Sequence, residues 1–520
     1  MGRIIFNEDS NHFIYSRANA GYTEITKKDL EDFIAQYKDT GVTDFMLCVG
    51  ASAPWYNSTR IKNMMTQYKE WIRDGKDSLY KGGETEMVFA CLELLTGYYE
   101  KYGESFYDFW IPALRKIDIR PWISIRMNDI HECMQEDSVL FSDFYRANRV
   151  NNRAAHRGAV EYYDYALDYM NENVRAHYLL VIQDALEHFD ADGLELDWMR
   201  EIYSVTIGRE YEGIAVINAF MRDVYDLVKR MEKERGHKIS IAVRVPDTPE
   251  KALRLGFDVF DWVENGLVDL ITVTPRWSSI DNDLPIDLWK RIFKNKPVTI
   301  AAGLEILLDV YNRRPRQYAF NTFETAVASA SAYHWMGADA VYLFNYMDIL
   351  PETKNPDPAL SKTENFLCGE RYREFLRTAS DYEKCIAERR RHIVTYNDVD
   401  AIGEAGKKPL PLTIGGKDGR PYGYKALRLA TGEIPKGRDV MVVLGIEADE
   451  NFDPEKLYVF TSTRKCTYLH KAEPKEQQYK DLRYYVYKLE NDGTLPPVSI
   501  IEMGLLNGKA TVHWAEIEII

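Results

Sequence analysis

The stretch DADGLELDWMRE, residues 190 to 201, constrains the fold more than any other part of the chain. Apolar and acidic residues alternate in it behind an Asp-Gly turn, and the helical run NVRAHYLLVIQDALEHF precedes it, so it predicts a buried strand that follows a helix. The strand ends in charged residues, Asp197, Arg200 and Glu201. In parallel α/β folds the sites lie at the C-terminal ends of strands. The purely structural alternative is an ion pair between Asp197 and Arg200 that closes the rim.

The same pattern, an apolar strand that ends in polar residues, recurs seven more times, with amphipathic helical runs between the strands. In order, the predicted strands are RIIF, TDFMLCVGA, RPWISIRMNDIH, the 190–201 stretch, ISIAVRVP, LITVTPRW, VTIAAGLE and AVYLFNYM. Eight strands that alternate with helices across residues 3 to about 380 predict a (β/α)8 TIM barrel. A doubly wound open sheet is the competing architecture, but no Gly-rich phosphate loop follows an early strand. Residues 54 to 83 form a long polar connection and are a candidate active-site loop.

The sequence pattern changes near residue 385. Short alternating runs such as DVMVVLGIEA, YYVYKL and KATVHWAEIEII are separated by turn residues beyond that point, as in a β-sandwich. We therefore predict a catalytic barrel over residues 1–384 and a β-sandwich accessory domain over residues 385–520. Docking against the barrel is the simpler role for the second domain, and carbohydrate binding is the alternative.

Charge and composition exclude several classes of protein. The formal net charge of −15 argues against nucleic acid and against an anionic membrane as partners, because both require a basic face. The six cysteines contain no CxxC pair, which favours reduced thiols over a disulfide framework or a zinc site. The N-terminus has no apolar signal-peptide region, so the sequence as written predicts a cytoplasmic protein, although a chain trimmed of its signal peptide would look the same.

In a barrel, the C-terminal mouth collects the polar residues that end the strands. In strand order these are Asp9; Gly50 and Ser52; Arg126, Asn128 and His131; Asp197 and Arg200; Arg244; Arg276; Glu305; and Asn345 with Asp348. Four arginines at one mouth of an acidic protein predict a substrate with a negative group, because guanidinium groups bind carboxylates and phosphates through paired hydrogen bonds. The alternative is that each arginine pairs with a rim carboxylate, which fits one or two of them better than all four. The predicted substrate-binding residues are Arg126, Asn128, Asp197, Arg200, Arg244, Arg276 and Asn345.

His131 and Asp9 are the candidate catalytic residues. His131 follows the third predicted strand together with other polar residues, and a histidine can gain and lose a proton near neutral pH. Asp9 and His131 could form a carboxylate–histidine pair that activates water. Asp197, Glu195 and Glu305 offer the alternative, a pair of carboxyl groups that cleaves a glycosidic bond.

No cofactor is predicted. The chain contains no HExxH motif and no closely spaced group of His and Cys residues, which argues against a metal site, although scattered carboxylates leave that question open. We interpret His12 and His334 as structural.

RPWISIRMNDIH and DGLELDWMRE together resemble glycoside hydrolase family 156, the inverting exo-sialidases, and the resemblance covers roughly the whole chain. It implies a catalytic Asp after the first strand and a catalytic His after the third, with arginines and an Asn at the barrel mouth that hold sialic acid and its carboxylate. On this sequence these residues are Asp9, His131, Arg126, Arg200 and Asn345. The second stretch is also similar to the DGxDxDxE strand of chitinases, but Met199 stands where that pattern has its acid, which argues against a chitinase mechanism.

The resulting hypothesis is an inverting exo-sialidase that binds a carbohydrate with a carboxylate, with the acid and base roles open between Asp9 and His131. One alternative is an exo-glycosidase for a uronic or neutral sugar that uses Asp197 with a second carboxylate. Another is a sugar-binding barrel without catalysis. A homo-oligomer is compatible with the sequence, which does not decide the oligomeric state.

Overall fold

The eight predicted strands close into a parallel barrel in the computed structural model. The structure describes residues 2–9, 11–76, 84–131, 138–154, 161–276, 279–311, 319–347, 350, 366–397, 400–404, 406–421, 424–448, 450, 452–476 and 479–520. Asp348, predicted at the end of the eighth strand, lies outside these residues. The predicted (β/α)8 architecture is confirmed.

The barrel strands are Ile4–Glu8 (β1), Val42–Gly50 (β2), Arg120–Arg126 (β3), Gly193–Asp197 (β4), Ser240–Pro246 (β5), Leu270–Thr274 (β6), Thr299–Glu305 (β7) and Ala340–Phe344 (β10). Each of them pairs in parallel with its two neighbours, in the closed order β1-β10-β7-β6-β5-β4-β3-β2. A small antiparallel hairpin of Leu307–Leu308 (β8) and Ala319–Phe320 (β9) lies between the last two.

Helices fill most of the connections between the strands and cover the barrel. Their ranges are His12–Ala20 (α1), Lys27–Ala35 (α2), Met64–Arg73 (α3), Glu84–Tyr102 (α4), Phe106–Arg115 (α5), Asp143–Ala147 (α6), Glu172–His188 (α7), Glu210–Arg235 (α8), Pro249–Arg254 (α9), Val259–Glu264 (α10), Ile286–Ile292 (α11), Phe323–Trp335 (α12), Gly369–Ala379 (α13) and Tyr382–Ala387 (α14). Short 3-10 turns span Arg149–Asn151, Glu161–Tyr165 and Pro454–Lys456. Helices α2 and α5 begin with capping boxes, Thr26 with Asp29 and Ser105 with Asp108, which satisfy amide groups of the first turn. No helix in the described part of the chain is long and apolar enough to cross a membrane.

The C-terminal region consists of antiparallel sheets, as the alternating runs predicted. Its strands are Arg390–Ile393 (β11), Leu412–Lys417 (β12), Arg420–Pro421 (β13), Lys425–Ala430 (β14), Val440–Ala448 (β15), Leu457–Thr461 (β16), Arg464–Lys465 (β17), Thr467–Ala472 (β18), Arg483–Leu489 (β19), Val498–Leu505 (β20) and Gly508–Ile519 (β21). The larger sheet has the order β13-β12-β21-β15-β19-β18, with β11 also paired to β21, and the smaller has the order β14-β20-β16-β17. Their facing apolar side chains form a separate core.

Arg390 joins this region to the barrel. The side chain is fully buried, and it donates hydrogen bonds to Ser331 Oγ of α12 at 3.0 Å and to the carbonyl oxygens of Thr431 and Glu433 at 2.7 and 2.8 Å. Burying a guanidinium group is costly without hydrogen-bond acceptors, and acceptors from both sides of the junction bind the two Nη atoms of Arg390.

Inward-facing side chains of the barrel strands, including Ile5, Met46, Trp122 and Tyr342, pack the barrel interior. Trp122 is 1% exposed and needs space beside the neighbouring strand. Gly193 on β4 provides that space, because a Cβ atom there would lie 2.0 Å from the Trp122 ring.

We expect Gly193→Ala to destabilise the protein by about 1–3 kcal/mol, because overpacking forces a buried ring out of its position. Urea unfolding followed by circular dichroism measures the change. The control is Gly97→Ala, inside helix α4, where no atom lies within 4 Å of the new Cβ. That variant should gain about 0.5–1 kcal/mol from helix propensity. A Gly193→Ala midpoint at or above that of the wild type would contradict the close packing.

Candidate active site

Four of the polar residues predicted at the strand ends, together with Asp129, form one linked cluster at the C-terminal mouth of the barrel. Arg126, the last residue of β3, forms an ion pair with Asp9, which follows β1. Its Nη1 atom donates to Asp129 Oδ2 at 2.7 Å. Asp129 Oδ1 in turn lies 2.5 Å from His131 Nδ1, and Arg200 Nη2 contacts His131 Nε2. The cluster therefore runs from Asp9 through Arg126 and Asp129 to His131 and Arg200.

These contacts determine the tautomer of His131. A guanidinium group only donates hydrogen bonds, so the Nε2 atom that meets Arg200 must accept. The Nδ1 atom then carries the proton and donates to Asp129. The imidazole is thus held from both sides, and its Nε2 lone pair is covered by Arg200.

The two aspartates of the cluster are carboxylates. Burial alone would raise the pKa of Asp9, but the charges of Arg126 and Arg200 bring it below its usual value. Burial likewise opposes ionisation of Asp129, but His131 and Arg126 hold its pKa well below the usual range. Neighbouring guanidinium groups and the hydrogen bond from His131 therefore outweigh desolvation at these two positions.

A cavity of about 170 Å³ opens beside this cluster. Asp9, Arg126, Asp129 and His131 line one side of it. The facing wall is mostly apolar and aromatic and includes Trp55, Met64, Leu140, Phe141 and Tyr145. A concave site with apolar walls and a few converging polar groups is the usual form of a small-molecule site.

The four arginines predicted at the mouth divide into two classes. Arg126 and Arg200 belong to the cluster, whereas Arg244 and Arg276 lie in buried ion pairs. Arg244 donates from Nη1 to Asp197 Oδ2 at 2.7 Å, and the side chains are 2% and 3% exposed. Arg276 donates from Nη2 to Glu201 Oε2 at 3.1 Å in a similarly buried pair. Arg244, Arg276 and Asp197, which we predicted to bind substrate, therefore lie in buried ion pairs, as the rim-pairing alternative describes.

Asn128 also differs from the expectation that it binds substrate. It is 1% exposed, its side chain donates to Leu167 O at 3.1 Å, and it accepts from Leu167 N at 2.9 Å. A further contact reaches Ser204 Oγ at 3.3 Å. Because these bonds occupy the amide group, Asn128 anchors the segment around Leu167 to the end of β3.

Two of the carboxyl groups that offered a paired-carboxyl mechanism, Asp197 and Glu195, are buried and accept hydrogen bonds from the protein. Asp197 Oδ1 accepts from the amides of Met199 and Arg200 at 2.9 and 3.1 Å. Glu195 is fully buried and accepts from Ser124 Oγ at 2.7 Å and Tyr342 OH at 2.9 Å, and burial raises its pKa to about 7. Asp197 and Glu195 therefore have a structural role inside the barrel.

Glu305 and Asn345 form a separate pair at the mouth. Asn345 follows β10 with φ 63°, a left-handed conformation that is uncommon for residues other than glycine and often marks functional positions. Its side chain donates to Glu305 Oε1 at 2.9 Å. Glu305 is 1% exposed, and burial raises its pKa to about 8. Asn345 is partly exposed, so the pair presents the Asn amide group and keeps the Glu behind it.

Sequence reasoning did not assign a role to Asp129, although it is the hydrogen-bonded partner of His131. The hypothesis drawn from the sequence pairs His131 with Asp9, as a carboxylate–histidine pair that activates water. The available signal was the spacing of two residues between Asp129 and His131, which lets the aspartate accept from both the backbone amide of His131 at 3.1 Å and its ring. His334, interpreted as structural, contacts Ala379 O at 2.8 Å.

No group of three His, Cys, Asp or Glu side chains that could hold a metal ion occurs among the residues that the structure describes. The cluster of Asp9, Asp129 and His131 is instead held together by guanidinium groups.

Comparisons with known proteins assign no family. No protein-family model matches the chain, and no curated protein matches its sequence. Among solved structures, the chain is similar to a cycloisomaltooligosaccharide glucanotransferase from Paenibacillus sp., with a TM-score of 0.30, 10% identity and coverage of 99% of this chain and 57% of that chain. It is also similar to the α-amylase of Geobacillus thermoleovorans, with a TM-score of 0.35, 10% identity and coverage of 96% and 98%. A family GH18 chitinase from Chromobacterium violaceum gives a TM-score of 0.37, 9% identity and coverage of 99% and 88%.

The chain spans less than two thirds of the length of the glucanotransferase. At these identities and TM-scores, the similarity assigns no activity to the chain.

The raised pKa of Glu305 predicts a pH-dependent contribution to stability. Its usual value is about 4.3, so between that pH and about 8 the folded state holds a proton that the unfolded state has lost. Stability therefore falls as pH rises through this window, by up to about 1.4 kcal/mol per pH unit. Glu305→Gln removes the titrating group. Relative to the wild type, this variant should gain at least about 1 kcal/mol between pH 5 and pH 8 in urea unfolding.

Glu234→Gln, on the exposed part of α8, is the control and should show no such gain. If the stabilities of the two variants depend on pH in the same way, Glu305 is ionised in the folded protein, and the raised pKa assigned to it is wrong.

Proposed function

We propose that this chain is a glycoside hydrolase, and specifically an inverting exo-sialidase. The observation that carries the proposal is the contact between Arg200 and His131 beside Asp9. Among the described residues, Arg200 forms no ion pair with a carboxylate, whereas Arg126, Arg244 and Arg276 each do. An anionic group on the substrate therefore has a cation available directly next to the imidazole.

Arg200 is the principal carboxylate-binding residue in this proposal. Arg126 is already bound to Asp9 and Asp129, so its first role is to hold these two carboxylates in place. When the sialic acid carboxylate binds Arg200, it replaces the imidazole as the acceptor of the guanidinium group. His131 Nε2 is then free to take and give a proton.

The ionised state of Asp9 supports the assignment of base and acid. Because its pKa lies below the usual value, Asp9 is a carboxylate that can take a proton from water as the water attacks the anomeric carbon. Protonated His131 gives its proton to the glycosidic oxygen, and the bond from that oxygen to the sugar breaks. Asp129 stabilises the imidazolium form through Nδ1. Water thus adds to the sugar on the face opposite the departing alcohol, which inverts the anomeric configuration.

The resemblance to glycoside hydrolase family 156 supports the same residues. The positions that it implies, Asp9, Arg126, His131 and Arg200, are the ones that the cluster links, and Asn345 lies at the end of the strand next to β1. The alternative with Asp197 as a catalytic carboxyl group is less well supported, because that side chain is 2% exposed and bound on both oxygens.

Proton NMR of the purified protein with 3′- and 6′-sialyllactose tests the proposal. We expect the β-anomer of free sialic acid to appear first, because an inverting enzyme converts the α-linked substrate directly to it. Prompt release of the α-anomer would contradict the inverting mechanism. Hydrolysis of glucuronides but not of sialyllactose would indicate that the substrate carries a uronic acid instead of sialic acid. Binding of a sugar without hydrolysis would indicate a sugar-binding barrel.

We expect two variants to have different kinetic effects on sialyllactose hydrolysis. His131→Ala should lower kcat by about 10²–10⁴-fold, the usual contribution of a general acid, with little change in KM. Arg200→Ala should chiefly raise KM, by about 10–100-fold, because a charge-assisted hydrogen bond contributes about 1.5–3 kcal/mol.

His237→Ala is the matched control. His237 forms a similar pair with Asp190, at 2.6 Å, but it precedes β5 and therefore lies at the opposite end of the barrel. Its kinetics should equal those of the wild type. Near-normal turnover of His131→Ala would remove His131 from the mechanism.

A further inference from the structure

The apolar wall of the active-site cavity has no part in the proton transfers proposed above. The charged side of the cavity carries both catalytic candidates, Asp9 and His131. The facing side comes from the loop after β2, from α3 and α4, and from the residues in and before α6, and its apolar members are Trp55, Met64, Val88, Leu140, Phe141 and Tyr145. Charged groups bind the polar parts of a ligand, so this wall predicts an apolar substituent on the same ligand.

The wall is held in place by hydrogen bonds from outside the cavity. The amide of Trp55 donates to Val49 O at 2.9 Å, which fixes the loop after β2. The side chain of Gln67 on α3 contacts the carbonyl oxygens of Val139 and Phe141, which fixes the facing segment. Because both parts are fixed, the apolar surface is formed before a ligand binds, and little ordering is needed on binding.

Trp55 carries a polar group within this wall. The residue lines the cavity and is 9% exposed. Its indole N–H donates to no acceptor in the described part of the chain, yet the nitrogen is not sealed from solvent. A largely buried indole N–H usually has a hydrogen-bond partner. The acceptor for Trp55 must therefore come from the cavity, as water or as part of a ligand.

Tyr145 shows the opposite arrangement on the same wall. Its hydroxyl group donates to Tyr165 O at 2.8 Å, so its polar end is already bound within the protein. The ring then contributes apolar surface to the cavity.

Asn11 provides a second polar group without a partner. It lies two residues after Asp9, at the N-cap of α1, and makes no side-chain capping bond. Its side chain lines the cavity and, within the described ranges, hydrogen-bonds to no other residue. A carboxamide both donates and accepts. The cavity therefore offers an indole donor, a carboxamide and an apolar surface, which match the carbonyl oxygen, the N–H and the alkyl end of an acylamido group.

The position of Arg200 favours the same substituent. Arg200 contacts His131 but is not among the described residues that line the cavity. A sialic acid whose carboxylate binds Arg200 has its anomeric carbon beside His131, and the far side of its ring, with the C5 substituent, then extends over the cavity. A uronic acid has only hydroxyl groups there, and the apolar wall would leave them without partners.

We infer that this cavity is the subsite for an N-acyl group on the sugar, in which Trp55 Nε1 donates to the acyl oxygen and the alkyl end packs on Met64 and Phe141. The inference rests on the proposed function, because it takes the sugar to be a sialic acid. It makes Trp55 a specificity-determining residue that takes no part in the proton transfers.

The ratio of two rates tests the subsite. The substrates are the 4-methylumbelliferyl α-ketosides of N-acetylneuraminic acid and of its analogue with a hydroxyl group at C5, and the ratio is kcat/KM for the first divided by kcat/KM for the second. We expect a ratio of at least about 10, because the analogue leaves the indole N–H without an acceptor and places a hydroxyl group against the apolar wall. Trp55→Phe keeps an aromatic ring and removes the N–H. It should lower the ratio by about 3–10-fold, the usual contribution of one hydrogen bond.

Trp335→Phe is the matched control. Trp335 ends α12, is partly exposed and does not line this cavity, so its variant should keep the wild-type ratio. A loss of folded protein lowers both rates equally, and a structural effect of Trp55→Phe therefore leaves the ratio unchanged. A wild-type ratio near 1, or an unchanged ratio in Trp55→Phe, would overturn the subsite, whereas hydrolysis of both substrates would still support the sialidase proposal.

Saturation-transfer NMR of the full wild-type chain with the methyl α-glycoside of N-acetylneuraminic acid decides the remaining cases, in which Trp55→Phe does not fold or neither substrate is hydrolysed. We expect the acetyl methyl protons to receive the strongest saturation, because they lie against apolar side chains. Strongest saturation of the glycerol side chain, or no binding, would overturn the subsite. Binding centred on the acetyl group without hydrolysis would support the subsite and contradict the hydrolase.

Discussion

The parallel pairing of β1 with β10 closes the barrel, and the candidate site depends on that closure. Ile4, Ile5 and Phe6 pair with Val341, Tyr342 and Leu343, so the first and last barrel strands become neighbours. Asp9 and Asn345, which follow these two strands, are brought to the same side of the mouth. The neighbouring order of β2, β3 and β4 then places Arg126 and Arg200 within reach of Asp9 and His131. An open sheet would separate the two edge strands and disperse these side chains.

Charge compensation inside the barrel is the second constraint. Ion pairs such as Arg244 with Asp197 and Arg276 with Glu201 lie behind the mouth with almost no solvent exposure. Removing one partner of such a pair leaves an uncompensated buried charge, which costs about 3–5 kcal/mol of stability. This cost explains why several polar residues at strand ends, such as Arg244 and Arg276, are paired behind the mouth and do not line the cavity. The charged residues that line the cavity, Asp9, Arg126, Asp129 and His131, are instead linked to one another by hydrogen bonds and ion pairs.

The same side-chain type is given different protonation states by its surroundings. Asp9 and Asp129, beside guanidinium groups, have lowered pKa values. Burial without an equally close cation raises the pKa of Glu195 to about 7 and of Glu305 to about 8. Environments that separate pKa values in this way are how one site provides both proton donors and acceptors. In our proposal Asp9 is the base for this reason.

The sequence by itself determined the eight barrel strands and the C-terminal sheets, because strand and helix periodicities are local properties of the chain. It also indicated Asp9, Arg126, His131, Arg200 and Asn345 as candidates, because the C-terminal ends of parallel strands meet at one mouth. Only the tertiary structure decided which carboxylate meets which cation. It paired His131 with Asp129, bound Arg244 and Arg276 to buried carboxylates, and occupied Asn128 with the backbone. Such pairing depends on distances of a few ångströms between segments far apart in the chain, and no local pattern encodes those distances.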